Sequence, residues 1–292
     1  MSTIKAFCRQ RPVLSYYILV FAISWAGGLL VLGPAGFLGI GVTPRTQLLM
    51  GVPVGILGPA IAGLLLTSLL YGKPGLRRLL SELLKWRVGA GWYAFALFTA
   101  PVITTVSLLA RSTFPTIVTA TNKLGTLVMG LAIGLVVALF EELGWTGFAT
   151  PELRKGRGVL ATGLIMGVLW GVWHYPVFSA SGRASAPLSP IFFTMALLFT
   201  WLIPYRVLMV WLYDHTRSVL LVMLMHVPIV ASTFVLSPPD SSSIFIAAGN
   251  LILAAALWTV VAVIFVASHG KLEADAPATS QDSSFASKAA GT

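Results

Sequence analysis

Eight apolar runs, each about long enough to cross a lipid bilayer, follow one another along a chain of 292 residues, and they constrain its fold more than any other feature. They lie at about 14–33, 47–71, 92–110, 124–153, 159–178, 189–212, 219–236 and 245–267. A hydrocarbon core about 30 Å thick is spanned by roughly 17–25 such residues in a helix. Helices also satisfy every backbone polar group within the segment, which hydrocarbon demands. The expected fold is therefore all-α, a polytopic helical bundle with about eight transmembrane helices. It forms a single domain over 1–268, with the Ala/Ser/Asp-rich residues 269–292 expected as a disordered cytoplasmic tail. A content of 57% hydrophobic and 10% charged residues, with a mean hydropathy of +0.89, rules out ordinary water-soluble domains.

The formal net charge of +10 would suit nucleic acid if it covered one soluble face. Instead the basic residues fall in short clusters between the apolar runs, so nucleic acid is not an expected partner and the bilayer is. With the N-terminus inside, the loops on that side carry 14 Lys and Arg against 4 outside, which sets both termini in the cytoplasm. The protein is thus read as multi-pass in the cell membrane, in the manner of a prokaryotic inner membrane. Residues 73–87, from Lys73 to Arg87, read as an amphipathic helix on the inner surface. The single cysteine, Cys8, excludes an intrachain disulfide and leaves lipidation or plain packing as its roles. The first run lacks a small-x-small cleavage site and reads as a retained helix. Gly130, Gly134 and Ala138, and likewise Gly163, Gly167 and Gly171, recur every four residues, a pattern of close helix contact. From it, runs four and five are expected to pack together.

Ionisable residues flanked by apolar sequence are costly at bilayer depth and mark function by default. Glu141, Glu142, His174, Arg206 and His226 meet that description. Taking the inside basic residues as depth markers, Glu141 lies about 20 Å, His174 about 26 Å and His226 about 14 Å into the membrane at 1.5 Å per residue. Allowing for tilt, runs four, five and seven bring two carboxylates and two imidazoles to a common level. A glutamate beside a histidine in such a cavity can hold and deprotonate water, and a second histidine can hydrogen-bond the oxyanion formed on a carbonyl. Alternatively, two imidazoles and a carboxylate can ligate zinc or another divalent metal, although no HExxH pair is present. Adjacent glutamates project about 100° apart, so one can face the cavity while the other meets a partner such as Arg206.

Three ordered stretches, EELGWTGFATPEL from Glu141, WGVWHYPVF from Trp170 and LLVMLMHVP from Leu220, resemble the CPBP family of CAAX proteases and bacteriocin-processing enzymes, also called the Abi family. The resemblance extends from about Gly72 to Val230, with the family core at about 124–236. Glu141, Glu142, Trp145, Gly147 and Phe148 match the first motif, Trp170 and His174 the second, and His226 the third. Thr146 stands where the family has Arg, and Val230 where it has Asn or a similar polar residue. The resemblance implies that Glu141 with His174 activates the hydrolytic water, that His226 helps to bind the oxyanion and that Glu142 orients the group. Trp170, Arg206 and Trp145 support them. A metal at Glu141, His174 and His226 is left open.

These readings give an intramembrane endopeptidase acting on CAAX-like or small peptide substrates associated with the membrane. The departures at Thr146 and Val230 keep a non-catalytic membrane scaffold or immunity protein in view. The same buried acids and histidines would also serve a proton-coupled transporter, for which no inverted repeat is evident. Oligomeric state is not legible in the sequence.

Overall fold

The computed structural model describes residues 3–111, 122–183, 190–236 and 243–274, and among them every regular element is helical. The main helices are α1 (Thr3–Gln10), α2 (Pro12–Phe37), α3 (Leu57–Leu83), α4 (Ala90–Arg111), α5 (Lys123–Gly144), α6 (Val159–Trp173), α7 (Tyr175–Arg183), α8 (Pro190–Thr216), α9 (Val219–Leu236) and α10 (Ser243–Ala267). Short turns fill 44–55 and 145–154. Five continuous helical stretches among the described residues are long and apolar enough to cross a membrane, and Val159–Trp173 and Val219–Val235 are shorter apolar helices.

Sequence explains where these helices begin, bend and end. Asn122 caps α5, its side chain accepting from the amide of Gly125 at 2.9 Å. Gly72 takes φ +60, a backbone that L side chains rarely adopt, immediately before Lys73 and Pro74. The long apolar stretch therefore turns at Gly72 into a surface helical segment, as the amphipathic pattern of 73–87 requires. After Glu141 and Glu142, α5 passes at Gly144 into a π-helical turn, Trp145–Ala149. Single π-turns of this kind recur at functional sites because they rotate side chains out of α register.

The bundle is apolar outside and small or polar inside. On α5, Leu124, Val128, Leu131 and Leu135 are exposed, whereas Gly130, Gly134, Ala138 and Glu141 are buried. Lipid tails solvate leucine as well as a neighbouring helix does, so helices associate through small residues and close backbones. Those small residues do not join runs four and five, contrary to the expectation. A Cβ on Gly130 would lie 2.8 Å from Cα of Ala231, and one on Gly134 2.9 Å from the carbonyl of Val227, so this stripe receives α9. Gly163 and Gly167 meet Cα of Val207 and of Ile203, so the other stripe receives α8. A small-residue stripe states that a close partner exists and carries no information about which helix it is.

Cys8 is buried at 7% exposure, a packing position. The segment read as a tail from residue 269 starts as a docked turn. Leu272 is buried, Glu273 accepts from the amide of Val159 at 3.0 Å, and the amide of Ala274 donates to Asp214 at 3.0 Å. Glu273 thus serves the open N-terminus of α6, whose first amides have no partner within the helix. Burial works to raise the Asp214 carboxyl, but hydrogen bonds from Arg154 and Ala274 prevail and hold it below the usual carboxylate range. Residues 275–292 lie outside the described residues.

The close crossings make a test. Gly167→Ala places a methyl 2.7 Å from Cα of Ile203. The expected cost is about 1–3 kcal/mol, as for overpacked cores. Gly91→Ala meets nothing within 4 Å and should leave stability unchanged or slightly raised. Thermal unfolding of both purified variants in the same detergent checks the contrast.

Candidate active site

Four helices deliver the polar residues to one buried place. The end of α5 supplies Glu141 and Glu142, α6 supplies Trp170 and ends at His174, α8 supplies Arg206, and α9 supplies His226. Glu141, Glu142, Arg206 and His226 are at most 2% exposed. The elements are tied together beside the site as well, since Tyr205 donates its hydroxyl to the carbonyl of Met225, joining α8 to α9. Each residue of that pair adjoins a site residue in sequence.

Glu142 is fully engaged. Arg206 donates from Nη1 to Oε2 at 2.9 Å and from Nη2 to Oε1 at 3.1 Å, the bidentate fork that matches guanidinium to carboxylate. Thr146 donates its hydroxyl to Oε2, and Nδ1 of His226 lies 2.8 Å from Oε1. A charge without such partners would be several kcal/mol unfavourable at this depth. Thr146 therefore does not leave the glutamates without a cation. The guanidinium comes from α8, and the shorter Thr side chain, one turn after Glu142, adds a hydroxyl in the space that remains.

Glu141 is held differently. Its described side-chain hydrogen bond is from the indole N–H of Trp170 to Oε2 at 2.8 Å, a neutral donor. Trp170 links the whole group. Its ring faces the Arg206 guanidinium at 4.2 Å, meets the His226 ring edge-on at 5.5 Å and meets the His174 ring at 5.0 Å. Nδ1 of His174 is 2.7 Å from the carbonyl of Trp170. A carbonyl only accepts, so Nδ1 carries the proton and Nε2 of the neutral ring presents a lone pair. Trp173 packs across the other side of His174 at 4.8 Å.

Trp145, the remaining supporting residue, lies behind the glutamates rather than among them. Its ring is in contact with Tyr16, Tyr17 and Trp173 at 5.6, 5.7 and 5.8 Å. Tyr16 and Tyr17 were not singled out from sequence, although two adjacent tyrosines early in an apolar run were visible. Tyr205 was missed likewise, and its place immediately before the one arginine within an apolar run was the available signal.

Ligand atoms of Glu141, Glu142 and His226 lie within 4.8 Å of one another, a grouping that by distance can hold a metal. This grouping holds Glu142 where the sequence reading left open a metal at Glu141, His174 and His226. The donor chemistry fits a dication poorly. Both Glu142 oxygens are engaged by Arg206, Oε1 also meets Nδ1 of His226, and a guanidinium stands where a second cation would be repelled.

Buried acids, imidazoles and an arginine inside an apolar helical bundle mark a candidate functional site. Residues 123–231 match the family of type II CAAX prenyl endopeptidases, Rce1-like. A curated relative, CAAX prenyl protease 2 of Methanococcus maripaludis, is 26% identical over 95 residues, which cover 32% of this chain. The chain spans 35% of that relative's length. Over the part of the chain that they cover, these matches support a CPBP-family protease and agree with the motif resemblance in the sequence.

The shared carboxylate gives the next test. Arg206→Met leaves Glu142 buried without its guanidinium, with an expected cost of about 3–5 kcal/mol. Thr146→Val removes one hydroxyl from the same charged acceptor, at about 1.5–3 kcal/mol. Because both act on Glu142, the double variant should depart from additivity by more than about 0.5 kcal/mol. Unfolding free energies of the two single variants and the double variant decide it, and simple additivity refutes the shared contact.

Proposed function

We propose that this protein is an intramembrane endopeptidase that hydrolyses a peptide bond of a membrane-associated substrate with a water activated by Glu141. The observation that carries this reading is the asymmetry of the two glutamates. Glu142 receives the Arg206 fork, the Thr146 hydroxyl and His226, and is committed to structure. Glu141 meets one neutral indole donor, keeping an oxygen for chemistry. A carboxylate bound by a guanidinium fork is a poor base, whereas one whose hydrogen-bond donor is a neutral indole accepts a proton more readily.

In this mechanism Glu141 takes a proton from water as the oxygen attacks the scissile carbonyl carbon. His174, its Nδ1 proton fixed on the Trp170 carbonyl, orients that water through the lone pair of Nε2. His226, held by Glu142 at Nδ1, turns Nε2 toward the oxyanion as a hydrogen-bond donor. The protonated Glu141 then passes its proton to the departing nitrogen as the C–N bond breaks, leaving one new carboxylic acid and one new amine. No step runs through a metal. The names of the matched family and relative direct the substrate to a prenylated CAAX-type C-terminus, with other small membrane-anchored peptides as the broader class.

Val230 packs against Gly134, where a hydrocarbon side chain offers the oxyanion no donor. The absence of one such donor typically lowers rate by about 10²–10³. A slow enzyme is therefore expected rather than an inert one.

The test uses purified protein in proteoliposomes with a farnesylated CAAX peptide, read by mass spectrometry of new termini. Glu141→Gln should lose at least about 10²-fold in kcat while remaining folded, the range set by removal of a general base. A divalent-metal chelator should leave the wild-type rate unchanged. Equal cleavage by wild type and Glu141→Gln sinks the assignment, and loss of activity on chelation sinks the metal-free step.

A further inference from the structure

The surface segment after Gly72 has two faces with different partners. Gly75 and Leu79 are buried against the bundle. Lys73, Arg77, Leu80, Leu84, Lys85, Trp86 and Arg87 are exposed. Leu80, Leu84 and Trp86 are 54%, 62% and 61% exposed, so cationic and large apolar side chains alternate on one outward surface.

Among the described residues, no acid answers the outward charges of Lys73, Arg77, Lys85 and Arg87. Arg87 rests over the Trp86 ring at 5.1 Å. The nearby acids are engaged elsewhere. Glu82 binds Arg78 and the Tyr213 hydroxyl, Glu152 binds Lys155 and Tyr71, Asp214 binds Arg154 and Arg217, and Glu273 serves Val159. A cationic face interleaved with exposed leucines and a tryptophan fits the boundary between acyl chains and anionic headgroups better than a soluble acidic protein, which would leave the leucines in water. Beyond the segment, Gly89, Gly91, Trp92, Phe95 and Trp211 line an open aromatic hollow, and tryptophans favour the headgroup level of a bilayer.

The inner face of this segment touches the turn that carries Thr146. Arg78 donates from Nη2 to the carbonyl of Gly147 at 3.4 Å. The tip of the Leu79 side chain takes the place that a Cβ on Gly147 would need, so Leu79 rests on the bare backbone of that turn. Its end is tied by the Ser218 hydroxyl to the carbonyl of Lys85 and by the Tyr93 hydroxyl to that of Trp86.

We propose that residues 73–87 bind anionic phospholipid headgroups, and that this binding seats Leu79 and Arg78 on the Trp145–Ala149 turn and thereby steadies Thr146 against Glu142. The interfacial segment is thus a lipid-charge sensor coupled to the buried site. It rests on the contacts above and holds whether or not the site proves to be a peptidase.

The full-length protein is reconstituted in phosphatidylcholine alone or mixed with phosphatidylglycerol, and two readouts are taken that need no substrate. The first is quenching of Trp86 by brominated acyl chains on either lipid, obtained as the difference between wild type and Trp86→Phe. The second is hydrogen exchange of the amides at 145–149. In wild type, brominated phosphatidylglycerol should be preferred around Trp86, and exchange at 145–149 should slow several-fold when it is present. Arg77→Gln/Lys85→Gln/Arg87→Gln should lower that preference by about five-fold for each cation removed at low salt and abolish the change in exchange.

Equal quenching by the two lipids in wild type, or a preference the triple variant retains, overturns the headgroup site. Lipid preference with unchanged exchange at 145–149 overturns the coupling. If a soluble polyglutamate slows exchange as well as the vesicles do, an acidic protein and not the bilayer is the partner, and the proposal fails. Peptidase rates in the two lipids, measured beside Glu141→Gln, report separately on the enzymatic reading.

Discussion

The buried pair of Glu142 and Arg206 is the interaction on which the rest of the molecule turns. Two full charges sit at 0% side-chain exposure inside a bundle whose outer surface is leucine and valine. Such a pair is tolerable only with near-ideal geometry and with its remaining polar atoms occupied. The bidentate fork, the Thr146 hydroxyl and His226 occupy both oxygens of Glu142. That requirement fixes α5, α8 and α9 relative to one another at one depth. The glycine contacts of α5 with α9 and of α6 with α8 let the backbones come close enough for the side chains to meet.

Once Glu142 is spent, Glu141 is defined by contrast. Two neighbours in sequence lie on different faces, as the 100° step of a helix dictates. One face meets a guanidinium and the other meets an indole. Trp170 holds both situations apart, giving its N–H to Glu141 and its ring to Arg206. The guanidinium is thereby partly occupied by a π-face and directed toward Glu142, so its fork goes to Glu142 and not to Glu141.

Much of the site was legible because membranes make polarity conspicuous. Glu141, Glu142, His174, Arg206 and His226 stood out from sequence alone, since each interrupts an apolar stretch, and four of these five lie at 2% exposure or less in the fold. The interfacial segment was legible from the alternation of charge and leucine after Gly72. Pairings between helices were not. Gly130 and Gly163 announce close contact, but selection among seven other helices depends on side-chain shape and on which ion pair must close. His174 was grouped by depth with the possible metal-ligating set, whereas the close grouping in the fold has Glu142 beside Glu141 and His226. Rise per residue measures depth and says nothing about azimuth. The turn at 269–274 was hidden for a related reason: one leucine and one glutamate suffice to dock it when an open helix terminus and a buried pocket await them.

The two departures from the family pattern differ in kind, and the structure separates them. At Thr146 the missing cation is an interaction with a fixed charge, and a fixed charge can be satisfied from any direction. Arg206 reaches it from α8, so the motif position is free to hold a small hydroxyl that makes room for the fork. At Val230, under the proposed mechanism, the missing group would have to point at a place where charge develops only during reaction. No static electrostatic demand recruits a substitute there, and the position has instead been filled by packing against Gly134. Substitutions that remove support for a permanent charge are therefore readily compensated elsewhere in the fold. A lost donor to a transient charge is felt only in the rate, and the bundle can remain as stable as before.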